Sequence, residues 1–370
     1  LQVNGKTNTL NGTVVSNFSY TFDGNGNILT ATDAVSGENI TYAYDDLNQL
    51  VGADNGAGRV ESYSYDATGN ILTFHNGITS HTYSYENSWL DLLTAVDGVA
   101  FSYDAIGNPI GYYNGTSYIM SWTDGRKLSS VTSGGNTTGY LYDSDGVRIR
   151  KTNADGSYVL YMVAGGTAIG EKHYDSSSAV TKYLRYTFDE NGSICGYSTS
   201  TDGTSWADYY FIRNLQGDVL QVFRESDNVI VAEYSYDSWG NIISKTGDLA
   251  DENPFRYRGY YYDVETGFYY VSSRYYDPEI GRFINSDGYI KTPTDSLLST
   301  NMFAYCENNP VNKIDPTGNF ALTATLGGVA LWKIGVALIG AVTTLVIANR
   351  IGKSERTVKN KIASLKEKGY

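Results

Sequence analysis

Acidic side chains recur at regular intervals along this sequence and are the first candidates for chemistry. In stretches such as YSYDATGNIL, an acidic residue follows an aromatic pair, at Asp23, Asp45, Asp66, Glu86, Asp104, Asp124 and Asp143. A row of carboxylates could bind calcium or the hydroxyl groups of sugars. Alternatively, each carboxylate accepts hydrogen bonds from backbone N–H groups two residues on and caps a turn. The nine-residue glycine–aspartate pattern of calcium-binding repeats is absent from the sequence, which favours turn capping.

Histidine and cysteine offer little further chemistry. The three histidines, His75, His81 and His173, have no zinc-ligand spacing, so the sequence predicts no metal site. Cys195 and Cys306 are 111 residues apart and follow no metal-binding or redox spacing, which favours two unpaired structural thiols. We expect no cofactor.

The elements that carry the acidic residues repeat along the chain. Tyr63 and Tyr65 are two residues apart, so they project from one face of a strand. Asp66 ends that strand, Gly69 suits a turn position with positive φ, and Ile71 begins the return strand. Copies recur at intervals of about 20 residues. A single hairpin is marginal in water, whereas stacked copies bury one another's faces, so the repeat predicts a solenoid or a spiralling sheet.

Composition supports a mainly β protein with an unevenly distributed charge. The 34 tyrosines favour strands and the 40 glycines favour turns. Net charge is −13, yet residues 320–370 contain eight lysines or arginines against two glutamates. The acidic remainder is unsuited to nucleic acid, because phosphate binding relies on clustered cations. The chain begins at Leu1 without a methionine or leader, and we expect it to be the C-terminal part of a longer protein.

The repeat resembles the YD repeat of bacterial Rhs proteins. The same repeat occurs in C components of insecticidal toxin complexes, in wall-associated proteins and in animal teneurins. The copies include YTFDGNGNIL from Tyr20, FSYDAIGNPI from Phe101 and YSYDSWGNII from Tyr234. This resemblance implies a β-sheet strip that spirals into a hollow shell. The expected fold class is therefore mainly β, with a YD-repeat shell of stacked hairpins over residues 1–254 and a short α-helical C-terminal tail.

Residues 255–319 resemble the Rhs repeat-associated core. The matching motifs are RYYDPEIGRF from Arg274, NMFAYCENNP from Asn301 and DPTG from Asp315. In the family, this block plugs one end of the shell and precedes a variable sequence, which is usually a toxin.

The resemblance also implies a candidate catalytic pair. In several relatives, two aspartates in D-P-x-G settings cut the chain just after the core, with one carboxylate acting as base on water and the other as acid. The matching positions are Asp287 and Asp315. Asp287 lacks the D-P-x-G context, and Asn319 stands where the family usually has leucine. Self-cleavage and purely structural roles, with Asp315 capping a turn and Asp287 ending a strand, are therefore both open.

The remaining residues divide into an apolar and a basic segment. Residues 320–350 are largely apolar and long enough for one tilted membrane span, with a short hairpin or a helix packed inside the shell as alternatives. Residues 351–370 predict a basic helix, with Ser354 as N-cap and Gly369 as the stop. This helix suits a membrane surface or solvent, and it also resembles the recognition half of a helix-turn-helix.

These observations predict a C-terminal fragment of a bacterial polymorphic toxin-type protein, secreted or held at the cell surface. Its shell would enclose a variable effector and deliver it in competition between bacteria. The expected partners are its own C-terminal effector segment, an immunity protein and a membrane contacted through residues 320–350. The alternative is an adhesive surface protein whose tyrosine faces bind cell-surface glycans. Self-cleavage is the only enzymatic activity expected, since none of the three histidines lies in the tail.

Overall fold

The computed structural model describes residues 2–85, 89–288, 297–319 and 321–323. These residues are mainly β and fall into two compact units. The first unit comprises residues 2–139 and 211–323, and the second comprises residues 140–210.

Antiparallel strands follow one another in sequence order through both units. The first unit opens with a ten-stranded sheet: β1 (Gly5–Leu10), β2 (Thr13–Phe22), β3 (Ile28–Asp33), β4 (Asn39–Tyr44), β5 (Leu50–Asp54), β6 (Val60–Tyr65), β7 (Ile71–His75), β8 (Ser80–Tyr85), β9 (Leu93–Val96) and β10 (Val99–Ala100). A second run follows in the same unit: β11 (Ser102–Tyr103), β12 (Pro109–Tyr113), β13 (Ser117–Thr123) and β14 (Lys127–Ser133). Strand β15 (Asn136–Tyr142) begins in the first unit and ends in the second.

The second unit is a meander of the same kind. Its strands are β16 (Arg148–Thr152), β17 (Tyr158–Ala164), β18 (Thr167–Tyr174), β19 (Val180–Phe188) and β20 (Ile194–Ser200). Strand β21 (Ala207–Arg213) begins in the second unit and ends in the first. The first unit then resumes with β22 (Val219–Arg224), β23 (Ile230–Tyr236) and β24 (Ile242–Thr246).

The block from residue 255 onward departs from the long meander. Four short antiparallel strands form a separate sheet: β25 (Tyr261–Asp263), β26 (Phe268–Val271), β27 (Arg274–Asp277) and β28 (Arg282–Phe283). Short 3-10 turns lie at Tyr257–Gly259, Leu297–Thr300 and Cys306–Asn308. Finally β29 (Lys313–Ile314) pairs with β30 (Leu322–Thr323), so the chain folds back onto the block just after residue 319.

Five of the recurring aspartates cap turns, as the sequence predicts: Asp23, Asp45, Asp66, Asp104 and Asp143. No side-chain cap is seen for Asp124, and Glu86 lies outside the described residues. In the repeat around Asp66, one carboxylate oxygen accepts the backbone N–H of Thr68 at 2.8 Å and that of Asn70 at 3.0 Å. The Asn70 side chain donates to the other oxygen at 2.9 Å. Gly69 has φ +80°, a backbone conformation that L side chains rarely adopt. Each such turn therefore satisfies its own carboxylate and fixes the start of the return strand.

The two tyrosines of a repeat have different roles, which the sequence pattern does not distinguish. Tyr63 is buried, whereas the register of β6 shifts between Ser64 and Tyr65 in a bulge. The Tyr65 hydroxyl then donates to the Leu50 carbonyl oxygen, one repeat earlier. The same bond joins other repeats: Tyr44 to Ile28, Tyr85 to Ile71, Tyr103 to Leu93 and Tyr236 to Val219. The second tyrosine thus ties each hairpin to the one before it.

Aromatic packing joins the repeats to residues 255–319, which we call the core block. On the side of the repeats, the fully buried Trp239 ring lies with its centroid 5.6 Å from those of Tyr63 and Phe74, and these three rings form one aromatic cluster. Gly281 of the core block has φ +65° and approaches so closely that a Cβ there would lie 2.7 Å from the Phe74 ring. Only glycine permits this approach, which brings the core block against the repeats.

Side-chain amides set the register of this docking. Asparagines of the NMFAYCENNPVN segment donate to repeat turns: Asn301 to the Asn70 side chain, Asn308 to Gln49 and the Gly69 carbonyl, Asn309 to Asn27 and the Asn48 carbonyl. Asn312 accepts the backbone N–H of Ile28 at 2.7 Å. The contacted turns belong to three successive repeats. The segment therefore binds a row of turns whose spacing is that of the repeat, and its docking does not depend on one turn alone.

The predicted basic helix over residues 351–370 and nearly all of the apolar segment 320–350 lie outside the described residues. Within the described residues, we find no helix of the length and apolar character that a membrane crossing requires.

Candidate functional site

Strand β27 places Arg274 at the centre of the candidate site. The Arg274 side chain is buried, with its guanidinium carbon 3.5 Å from the centroid of the Phe283 ring. Its Nη1 donates to the Met302 carbonyl oxygen at 2.9 Å, and its Nε donates to the Gly318 carbonyl oxygen. One guanidinium therefore joins three segments of the core block that are remote in sequence.

The structure brings the two aspartates of the sequence hypothesis to this guanidinium. The Nη2 atom of Arg274 lies 3.4 Å from Asp287 Oδ2 and 3.7 Å from Asp315 Oδ2. All three side chains are at most 6% exposed. Two carboxylates thus share one cation in a site with little access to water.

Local hydrogen bonds fix the orientation of Asp315. Its Oδ1 accepts the backbone N–H groups of Gly318 at 2.8 Å and Asn319 at 3.1 Å, which makes the D-P-x-G segment a self-capped turn. The Asp315 backbone N–H donates to the Tyr260 hydroxyl at 3.0 Å, and that hydroxyl lies 2.9 Å from the Asp315 carbonyl oxygen. Because Oδ1 accepts the hydrogen bonds of the turn, Oδ2 is the oxygen that faces Arg274.

Asp287 is held differently and does not end a strand. Strand β28 stops at Phe283, and Asp287 lies in the irregular chain beyond it, where its N–H donates to the Met302 carbonyl at 2.9 Å. The preceding residue, Ser286, accepts a hydrogen bond from Arg126 of a repeat turn. A hydrogen bond from the repeat region therefore helps to hold the segment that contains Asp287 in place.

Electrostatics at the site depends on the balance between burial and charge pairing. Burial lowers the pKa of the Arg274 guanidinium, and the neighbouring Asp287 and Asp315 carboxylates oppose that effect. The Gly318 carbonyl is polarised by Arg274, so the site places two acidic groups and a cation beside the backbone that follows the core block.

Sequence reasoning identified both aspartates and missed Arg274. The signal was present, because Arg274 opens the RYYDP motif, yet nothing in that motif links it to residues 287 or 315. The four docking asparagines were missed as well, although they cluster in one segment. Within the described ranges no group of three or more histidine, cysteine, aspartate or glutamate side chains is arranged to hold a metal ion. Cys306 is buried and Cys195 is half-buried, and no disulfide joins them.

Comparison with known proteins establishes the family. The teneurin YD-shell family matches residues 3–311. The chain belongs to the YD-shell family. The structure of this YD-shell chain agrees with the match, because its described strands are joined by recurrent tyrosine–aspartate turns.

Curated relatives of this YD-shell chain include a nuclease and a deaminase toxin. A tRNA3(Ser)-specific nuclease WapA of Bacillus spizizenii is 33% identical over 219 residues, which cover 58% of this chain and 9% of the relative. A double-stranded DNA deaminase toxin A of Burkholderia cenocepacia is 35% identical over 86 residues, which cover 22% of this chain and 6% of that protein. The chain therefore spans a small part of the length of these relatives.

Solved structures of toxin complexes share the YD-shell fold. The TcdB2-TccC3 structure superposes with a TM-score of 0.68 at 21% identity, covering 85% of this chain and 18% of that one. The Tc holotoxin pore of Photorhabdus luminescens superposes with a TM-score of 0.68 at 20% identity, covering 88% of this chain and 18% of that one. At this identity the likeness concerns the fold alone.

Proposed function

We propose that this chain is the shell-and-core portion of a toxin-type protein, which encloses a C-terminal effector segment and delivers it to another cell. The docking of the core block across three successive repeats carries this proposal, because it anchors the chain end directly before the variable segment to the repeat sheet. The WapA nuclease and the deaminase toxin support it as relatives named for different effector activities.

Enclosure is tested on the full chain by limited proteolysis. Residues 320–370 contain eight lysines and arginines, so trypsin cuts this segment readily once it is accessible. We expect the segment to resist trypsin in the folded protein and to be digested in urea at the concentration that unfolds the core block. Rapid digestion of the segment in a fully folded chain would contradict enclosure.

Delivery of an effector is tested by expressing residues 320–370 in bacteria with and without an export leader. Growth arrest in either compartment supports an effector, and arrest with the leader alone supports action at a membrane, as proposed for residues 320–350. A neighbouring gene whose product relieves the arrest would be the proposed immunity protein. Normal growth in both compartments would count against the effector.

We further propose that Asp287 and Asp315 cleave the chain after the core block. One group, as the ionised carboxylate, takes a proton from water, whose oxygen attacks the Gly318 carbonyl carbon. The other group, as the protonated carboxylic acid, gives its proton to the departing Asn319 nitrogen, so the pair again holds one proton after the bond is broken. The observation in favour is the convergence of both carboxylates on Arg274, which also donates to the Gly318 oxygen. Peptide hydrolysis leaves a carboxyl group on residue 318 and an amino group on residue 319.

Mass spectrometry of the purified chain tests this cleavage. We expect fragments that end at residue 318 and begin at residue 319 in the wild type, and full-length mass in Asp287→Asn and Asp315→Asn. The exposed Asp248→Asn variant is the matched control and should be cut like the wild type. Full-length wild-type protein after days at several pH values would exclude the activity.

The adhesive alternative requires exposed tyrosine rings for sugar faces. The first tyrosines of the repeats, such as Tyr20, Tyr63 and Tyr83, are buried, which argues against glycan binding through this row. We propose a secreted or cell-surface location for the protein, on the basis of its toxin relatives.

A further inference from the structure

The turn between β27 and β28, residues 277–281, joins the core block to the repeats within the first unit. Two of its backbone carbonyl oxygens accept hydrogen bonds from repeat side chains, one from Asn241 at 2.8 Å and one from the Tyr83 hydroxyl at 2.9 Å. These two donors are uncharged. The two remaining polar contacts of the turn with the repeats are made by ionisable side chains, Asp277 and Glu279.

The ring of His81, on β8, lies between two carboxylates. Its Nδ1 is 2.7 Å from Oδ2 of Asp97, just after β9, and its Nε2 is 3.3 Å from Oε1 of Glu279 in the core-block turn. The His81 side chain is 7% exposed, so water has little access to either nitrogen. A neutral imidazole has one N–H group, whereas an imidazolium donates from both nitrogens. Carboxylates at both nitrogens therefore favour the charged, doubly protonated ring.

Both carboxylates are held in place by a second donor. Asp97 Oδ1 accepts the backbone N–H of Thr82 at 2.8 Å, and Glu279 Oε1 accepts the Thr79 hydroxyl at 2.8 Å. The hydrogen bond to Glu279 raises the pKa of His81, burial opposes this effect, and the Asp97 carboxylate adds to the increase. When His81 loses a proton, its remaining N–H can bond only one carboxylate, and the lone pair of the other nitrogen faces an anion. We expect the longer contact, to Glu279, to be the one that is lost.

Asp277, two residues before Glu279, is a second ionisable contact with the repeats. Its Oδ2 accepts hydrogen bonds from the Tyr112 hydroxyl at 2.8 Å and from the Asn114 side chain at 2.7 Å. Burial raises the pKa of Asp277 to about 7, although these two donors oppose the increase. Above that pH the turn carries negative charge on both Asp277 and Glu279, and the two charges repel each other.

The other ionisable groups beside the turn do not change charge in the same range. Arg282 of β28 donates to the Tyr85 hydroxyl and, at 2.8 Å, to the Asp91 carbonyl oxygen, and it forms no ion pair with a carboxylate of the described residues. Burial raises the pKa of the Tyr83 and Tyr112 hydroxyls well above the usual value, so both stay neutral. The charge of this contact therefore changes through the histidine and the aspartate described above.

We propose that residues 277–281 form a pH-dependent latch, which holds the core block on the repeats in mildly acidic and neutral solution and loosens in alkaline solution. His81 supplies the cation of the latch, and loss of its proton removes the bond to Glu279. Strand β27 runs from Arg274 to Asp277, so the latch lies at the end of the strand that begins with the arginine of the candidate site. The latch works in the same way whether or not the chain is cleaved.

Amide hydrogen exchange of the full chain at pH 6 and pH 9 tests the latch, with rates expressed as protection factors to remove the intrinsic effect of pH on exchange. We expect the protection of residues 277–284 to fall at least tenfold at pH 9, while that of residues 117–133 stays the same. The double variant His81→Gln with Asp277→Asn should show equal protection of the turn at both pH values. His75→Gln is the matched control and should keep the wild-type response, because the His75 ring bonds to the Thr79 carbonyl oxygen at 3.0 Å and to no described carboxylate.

Proton NMR of the histidine rings gives a second measurement, since the chain has three histidines and single substitutions assign their signals. We expect a pKa for His81 above its ordinary value of about 6.5, and a lower pKa in Glu279→Gln. The exposed Glu225→Gln should leave the pKa of His81 unchanged.

Three results would overturn the latch. The first is equal protection of residues 277–284 at pH 6 and pH 9 in the wild type, and the second is a pH response that persists in the double variant. The third is a pKa of His81 that does not respond to Glu279→Gln, because the ring would then not be paired with the core block. A loss of protection that is uniform along the whole chain at pH 9 would also contradict a local latch.

Discussion

The Tyr65 hydroxyl lies 2.5 Å from the backbone carbonyl oxygen of Leu50, to which it donates a hydrogen bond from one repeat to the preceding one. Equivalent bonds recur from Tyr44 to Tyr236, so the second aromatic residue of the repeat is a cross-link between hairpins. The aspartate that follows it forms the turn, and the two functions together explain why the tyrosine–aspartate pair is repeated as a unit.

Removal of one such hydroxyl should weaken the sheet measurably. Tyr65→Phe keeps the ring and leaves the Leu50 carbonyl without its donor, so we expect a loss of about 1 kcal/mol in the free energy of unfolding. Urea denaturation followed by circular dichroism measures it. Tyr113→Phe is the matched control, because no hydrogen bond of the Tyr113 hydroxyl is seen, and its midpoint should not move. Equal midpoints for the two variants would show that the bond contributes nothing.

The docking of the core block should depend on Asn309. Its side chain donates to Asn27 Oδ1 at 2.9 Å and to the Asn48 carbonyl at 2.8 Å. Asn309→Ala leaves both acceptors buried without this donor, so we expect a cost of about 2–3 kcal/mol, concentrated in the core block. Hydrogen exchange should show faster exchange for residues 301–315. The exposed Asn136→Ala should leave those amides unchanged, and uniform acceleration across the whole chain would contradict a local docking role.

Arg274 should be essential for the stability of the core block at neutral pH. Arg274→Met leaves the buried carboxylates of Asp287 and Asp315 without this cation, and loss of one partner of a buried pair costs about 3–5 kcal/mol. Denaturant titrations at pH 7 measure this loss.

The control for Arg274 is an exposed ion pair. Arg224 lies 3.0 Å from Asp227 at the surface, and Arg224→Met should cost no more than about 1 kcal/mol. A similarly small loss for Arg274→Met would mean that the two carboxylates are stabilised mainly by their other contacts.

Stability should rise as the pH falls from 8 towards 5. Burial raises the pKa of Asp277 to about 7, and burial together with the nearby Glu61 raises that of Asp237 to about 8. Both values exceed the value of about 4 in the unfolded chain, so the folded state binds more protons across this window and is stabilised by lower pH. Thermal melts between pH 5 and pH 8 measure the slope.

Below about pH 4, the turn carboxylates should make the stability of the fold decrease as the pH falls. Burial alone would raise the pKa of Asp66, but hydrogen bonds from Asn70 and Thr68 outweigh that effect and hold the pKa below its usual range. Their contribution is present above pH 4 and is lost as the pH falls further. Asp277→Asn should flatten the slope between pH 5 and 8, whereas the exposed Asp248→Asn should not. A stability that increases from pH 5 to pH 8 would contradict the assignment.

The sequence by itself determined the repeating hairpin. Tyr63, Asp66 and Gly69 lie within seven residues of one another, and their preferences for strand, turn and positive φ are local, so they can be recognised from spacing alone. Motif resemblance also located Asp287 and Asp315 as the candidate pair.

Only the tertiary structure decided what these residues contact. The bulge at Tyr65, the fit of Asn309 to turns about 260–280 residues earlier, and the position of Arg274 between Asp287 and Asp315 arise from long-range packing. Contacts of this range follow from how the whole sheet packs, and no local pattern in the sequence encodes them.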